Sequence, residues 1–109
     1  MIAPIEQTVQ IGIMIPDRQT LQRICAPYGV RRLRVFGSVA RSEDHPGSDL
    51  DLLVEFDRPV TLLQLVGLQQ ELEDALGHAV DLLTPASISP HIRDQVLREA
   101  RTIYERPAA

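Results

Sequence analysis

The residues able to do chemistry are Asp49, Asp51 and Asp81, together with the turn Gly37-Ser38. Along a strand, residues two apart point to the same face with Cα atoms roughly 6.5 Å apart. Asp49 and Asp51 therefore converge on one side, while Leu50 and Leu52 turn to the other. Adjacent carboxylates repel one another unless a cation lies between them. Hard oxygen donors suit Mg²⁺, which also keeps water and substrate phosphate oxygens in its shell. Asp81 completes the cluster if its strand is a neighbour, which the sequence leaves open. Gly37 lets a phosphate approach the backbone closely, and amides at the helix start that follows carry partial positive charge. Ser38 adds a hydroxyl donor. The expected chemistry is the handling of a phosphate through magnesium.

Strands and turns must hold those groups in place. Pro16-Asp17 marks a helix start with Asp17 as N-cap; Leu21, Ile24, Cys25 and Tyr28 recur at helical spacing, and Gly29 stops the helix. Arg32 to Phe36 alternates as a strand, Gly37-Ser38 breaks it, and Val39-Ala40-Arg41 resumes as a helical turn. Asp44 to Ser48 is a turn-rich loop, and Asp49 to Phe56 a strand closed by Asp57-Arg58-Pro59. Thr61 caps a long helix to about Leu76, with Leu62, Leu65, Val66, Leu72 and Leu76 on one stripe and Gly77 as the stop. Val80 to Leu83 is a short strand ended by Thr84-Pro85. Ser89-Pro90 opens a further helix carrying Ile92, Val96 and Leu97. Thr102-Ile103-Tyr104 reads as a final strand or as the frayed end of that helix. The order predicts an α/β (α+β) domain, a small mixed β-sheet flanked by helices. That domain spans residues 16–106, with residues 1–15 as an N-terminal arm or short strand.

Composition narrows the function. At 109 residues the chain is one domain, with room for one core and a site at its edge. Hydrophobic residues make up 44% and charged residues 24%, ordinary for a globular domain. The formal net charge of −4 excludes a broad cationic face of the kind that binds nucleic acid. All 11 basic residues are arginines. A P-loop Gly-Lys-Ser/Thr motif and Schiff-base chemistry are thereby excluded, and phosphate must be met by arginine, backbone amides, hydroxyls or metal. No apolar run approaches the ~20 residues of a membrane span, and the first ten residues lack a signal-peptide pattern. The single cysteine fits a reducing compartment, and the expected location is cytoplasmic.

The spacing Gly37-Ser38, ten residues, Asp49-Leu50-Asp51 resembles the Gly-Ser-x10-Asp-x-Asp signature of the DNA polymerase β-like nucleotidyltransferases. The strings Phe36-Gly37-Ser38-Val39-Ala40-Arg41 and Ser48-Asp49-Leu50-Asp51-Leu52-Leu53-Val54-Glu55-Phe56 are similar to the minimal nucleotidyltransferase (MNT) subfamily. Val80 to Pro85 and Ile92 to Ala100 extend the similarity, which covers about four-fifths of the chain. The resemblance implies that Asp49 and Asp51 bind two Mg²⁺ ions, that Asp81 joins this metal-binding, catalytic set and activates the attacking hydroxyl, and that Gly37 and Ser38 hold the triphosphate; Arg41 and Ser48 are further nucleotide-binding candidates. Many members are antitoxins that transfer AMP from ATP to a tyrosine hydroxyl of a partner HEPN-domain ribonuclease toxin. By resemblance, the same reaction and a hetero-oligomer with a HEPN toxin are expected here. One departure is Ser42, where glycine is common in the family.

Two other readings stand beside this enzyme. The chain could be an antitoxin that neutralises its partner by occlusion, or a catalytic subunit that modifies a small hydroxylated molecule. Arg41 also suits a surface ion pair; Arg32 and Arg34 read as the outward face of an alternating strand. Cys25 lies on an apolar stripe and reads as core. His45, His78 and His91 have no metal-ligand spacing and read as surface or loop residues. Tyr28 and Tyr104 are too scattered for a base-stacking platform.

Overall fold

The structure is a computed structural model, and it describes residues 15–37 and 50–107. Helix α1 (Arg18–Cys25) runs into a 3₁₀ turn (Ala26–Tyr28), followed by β1 (Val30–Phe36) and β2 (Leu50–Phe56). Helix α2 (Leu62–Leu76), strand β3 (Val80–Leu83), a second 3₁₀ turn (Pro85–Ser87), helix α3 (Pro90–Glu99) and strand β4 (Arg101–Glu105) complete the chain. The four strands form one sheet in the order β3-β2-β1-β4. β2 and β3 pair in parallel, while β1 pairs antiparallel with both β2 and β4, so the sheet is mixed. The segment Thr102-Ile103-Tyr104 belongs to an edge strand.

Local signals set the helix ends. Asp17 accepts a hydrogen bond from the Thr20 amide at 2.8 Å, which satisfies one of the free donors of the first turn. Thr61 and Gln64 form a reciprocal capping box at the start of α2. Gly29 and Gly77 adopt left-handed φ angles of 75° and 65° and end their helical segments.

The sheet has two faces with different cover. On one, Leu33 and Val35 of β1, Leu50, Leu52 and Val54 of β2, and Val80 and Leu82 of β3 pack under Leu21 and Cys25 of α1 and Leu68, Leu72 and Leu76 of α2. The other face carries a smaller cluster, Phe36, Leu53, Ile88 and Val96, beneath α3. Because strand side chains alternate, Asp51, Leu53 and Glu55 share this second face, as do Asp81 and Leu83.

The apolar stripe of α2 differs from the sequence expectation. Leu62 and Val66 are 76% and 42% exposed, whereas Leu68, unassigned in the sequence, is fully buried. A helix turns about 100° per residue, so Val66 lies roughly 200° round from Leu68 and faces away from the sheet. Leu62, in the first turn, has no cover among the described residues. On α3 only Val96 is buried; Ile92 and Leu97 are 49% and 39% exposed. Arg34 also departs from an outward face: its side chain is 13% exposed and, with Arg32, meets Glu55 across the strands at 3.4 Å and 2.7 Å respectively.

Cys25 is buried as expected. Burial, and second the Glu71 carboxylate, push its thiol up from 9.0 to about 12. Tyr28 donates a hydrogen bond to Glu71, which with partial burial and the carboxylate's charge raises its phenol pKa.

Leu72→Ala is expected to cost about 2–5 kcal/mol in denaturant unfolding, and Leu62→Ala less than about 0.5 kcal/mol. Equal losses at the two sites would contradict the stripe described above. A thiol whose pKa is higher folded than unfolded adds stability that is complete below the unfolded value and lost as pH rises through the folded one. The stability advantage of wild type over Cys25→Ala should therefore shrink between pH 9.0 and about 12. A difference constant across that window would refute the shift.

Candidate active site

β1 ends where β2 and β3 begin, so three strand termini meet at one end of the sheet. Phe36, the last residue of β1, pairs with Asp51, and Asp51 pairs with Asp81 across the parallel β2–β3 ladder. Neighbouring strands lie about 4.8 Å apart, which sets the separation of the two aspartate backbones. Asp51 is half-buried and Asp81 exposed. Both stand on the face away from the main core, while Leu50, Leu52, Val80 and Leu82 anchor their strands on the other.

Gly37 closes the site from the β1 side. Its φ is +76°, a left-handed backbone that residues with a Cβ rarely adopt. A Cβ built there would lie 2.3 Å from Asp51 Oδ2 and 3.2 Å from its Cγ. The Gly37 backbone thus lies directly against the Asp51 carboxylate, and only hydrogen fits between them.

Of the residues singled out in the sequence, the structure brings together Gly37, Asp51 and Asp81. Ser38, Arg41, Ser48 and Asp49 lie outside the described residues, as do the Val39–Arg41 turn, the Asp44–Ser48 loop and most of the 1–15 arm. Among the described residues no group of three His, Cys, Asp or Glu could hold an ion. The donors present, carboxylates on paired positions of neighbouring strands with the Gly37 backbone against one of them, have the chemistry magnesium prefers: hard oxygens and paired negative charge.

The sequence reading gave Glu55 no role, yet it accepts from Arg32 and forms an ion pair with Arg34 on the same sheet face as Asp51. The spacing Arg32-x-Arg34 was visible, but its partner depends on the β1–β2 register. Among the described residues, no helix is long and apolar enough to cross a membrane.

Residues 17–103 match the family model described as Nucleotidyltransferase domain. The chain belongs to that family. A Methanocaldococcus jannaschii protein, named as a putative protein adenylyltransferase, is 49% identical over 77 residues, covering 71% of this chain and 83% of that protein. A solved structure described as that of a putative minimal nucleotidyltransferase is 48% identical, with a TM-score of 0.67, covering 77% of this chain and 86% of its own. A toxin–antitoxin complex solved with AMP-PNP contains a chain of the same fold, 22% identical with a TM-score of 0.66, covering 81% and 73%. This nucleotidyltransferase thus has the mixed sheet and helical cover of the minimal members.

Gly37→Ala should lower the stability of this nucleotidyltransferase by about 1–3 kcal/mol, since it combines a left-handed backbone with a carboxylate in the path of the new methyl. Denaturant unfolding checks this, and an unchanged midpoint would contradict the close approach of Gly37 to Asp51.

Proposed function

We propose that this nucleotidyltransferase transfers AMP from ATP to a tyrosine hydroxyl of a HEPN-type ribonuclease toxin and thereby acts as its antitoxin. The observation that carries the reading is the register Phe36–Asp51–Asp81, which gathers two carboxylates at the end of β1 with the Gly37 backbone against one of them. The adenylyltransferase name of the 49% identical relative and the motif spacing around Gly37-Ser38 and Asp49-Leu50-Asp51 support the transferred group. The fold shared with a toxin–antitoxin complex solved with AMP-PNP agrees with the choice of partner and nucleotide.

Each residue then has a task. Asp49, Asp51 and Asp81 would hold two Mg²⁺ ions, which when bound supply Lewis-acid polarisation of the phosphoryl oxygens. Gly37 offers a backbone free of side chain to the triphosphate, and Ser38 donates its hydroxyl to a phosphate oxygen. Arg41 and Ser48 add nucleotide contacts, arginine being the only cationic side chain this chain possesses besides histidine. The acceptor oxygen bonds to the α-phosphorus as the bond to the pyrophosphate oxygen breaks. Asp81 takes the hydroxyl proton and passes it to water; a phenol with pKa near ~10 needs such a base at neutral pH.

The test incubates the protein with Mg²⁺, ATP and a co-expressed HEPN-domain protein, and weighs that partner by intact mass. A gain of one or more AMP units is expected. Asp51→Asn and Asp81→Asn should each reduce the gain by about 100-fold or more. Full transfer by the double variant would overturn the mechanism. Neutralisation of the toxin by the double variant without transfer would point to occlusion instead.

A further inference from the structure

Phe36 stands between the candidate site and the smaller of the two cores. It is the last residue of β1, pairs with Asp51 across the antiparallel ladder, and is only 8% exposed. Its side chain belongs to the cluster of Leu53, Ile88 and Val96 on the second sheet face. Asp51 precedes Leu53 by two residues, so both side chains leave β2 on that same face. Directly opposite residues of an antiparallel pair have Cβ atoms about 4.5–5.5 Å apart. The Phe36 side chain is therefore a direct neighbour of the Asp51 side chain across β1 and β2.

The Asp51 carboxylate leans toward β1. A Cβ built on Gly37 would strike Oδ2 first, with Cγ at 3.2 Å and the Asp51 Cβ at 3.4 Å, so a carboxylate oxygen is the part that reaches closest to the strand tip. The terminal torsion of an aspartate is broad, and the group turns at little cost unless neighbours restrict it. Here the restriction comes from consecutive residues of β1: the Gly37 backbone against Oδ2, and the Phe36 side chain beside it. Phe36 is in turn packed in one cluster with Val96 of α3 and with Ile88 ahead of that helix. A line of packing thus runs from α3 through Phe36 to the carboxylate.

We infer that Phe36 is a positioning residue for the metal site: packed beneath α3, it holds the Asp51 carboxylate in the orientation that binds a divalent cation. The inference rests on the magnesium reading proposed above and extends it to an apolar residue that ligates nothing itself. A ligand locked by packing before the ion arrives binds it more tightly than one that binding must order.

The experiment titrates Mn²⁺, standing in for Mg²⁺, into the nucleotide-free protein and counts the free ion by its electron paramagnetic resonance signal. Wild type is compared with Phe36→Ala, Val96→Ala, Leu72→Ala and Asp51→Asn, each below its own unfolding transition. Loss of a residue that supports a metal ligand costs about 10- to 100-fold in affinity, so Phe36→Ala should raise the Kd for Mn²⁺ by about 10-fold or more. Val96→Ala keeps Phe36 but loosens the packing around it, and should raise the Kd by a smaller factor. It carries the test if Phe36→Ala does not fold. Leu72→Ala removes a core side chain on the other sheet face and should leave the Kd unchanged while lowering the unfolding midpoint. A wild-type Kd in Phe36→Ala or Val96→Ala, or an equal rise in Leu72→Ala, would overturn the inference while the metal site stands. If Asp51→Asn binds Mn²⁺ as wild type does, the magnesium reading fails and the inference with it.

Discussion

The register of the parallel pair β2–β3 is the constraint on which the site depends. Asp51 and Asp81 stand opposite one another because Leu50 and Leu52 on one strand, and Val80 and Leu82 on the other, are pressed into the main core. Side chains alternate with a period of two, so a slip of β3 by one residue would turn Asp81 toward the main core and move Val80 and Leu82 to the other face. An unpaired buried carboxylate costs several kcal/mol, and two displaced apolar side chains would add to that. The repulsion between the carboxylates is far too weak to offset such a loss. The core thus holds together two charges that would otherwise separate.

Parallel neighbours cannot be joined by a tight turn, and the crossover α2 answers that need. Its start is set by the Thr61–Gln64 capping box, and its end by the left-handed Gly77. Glu73, near its last turn, reaches across to the first amide of β3. The helix that covers the core also fixes the height at which β3 enters the sheet, and hence where Asp81 falls. Stability and site geometry share the same hydrogen bonds here.

On the other flank, Gly37 reconciles two demands. The chain must leave β1 beside a carboxylate, and it must do so through a left-handed turn. Any Cβ would strike Asp51 Oδ2, and the left-handed φ would strain any residue that carried one. Glycine removes both obstacles.

Much of this was legible in the residues themselves. The caps Asp17, Thr61 and Ser89, the stops Gly29 and Gly77, and the alternation of β2 are local signals, because hydrogen bonds within one turn and a period of two need no distant partner. The spacing from Gly37-Ser38 to Asp49-Leu50-Asp51 pointed to the family for the same reason: a turn and the strand that follows it are short, contiguous pieces of chain. Tertiary structure alone decided that Asp81 faces Asp51, that Glu55 joins Arg32 and Arg34, and that Leu68 rather than Leu62 or Val66 enters the core. Each of these depends on which strand lies beside which and where a helix crosses the sheet. Such pairings are settled by the packing of the whole domain, and no window of sequence contains them.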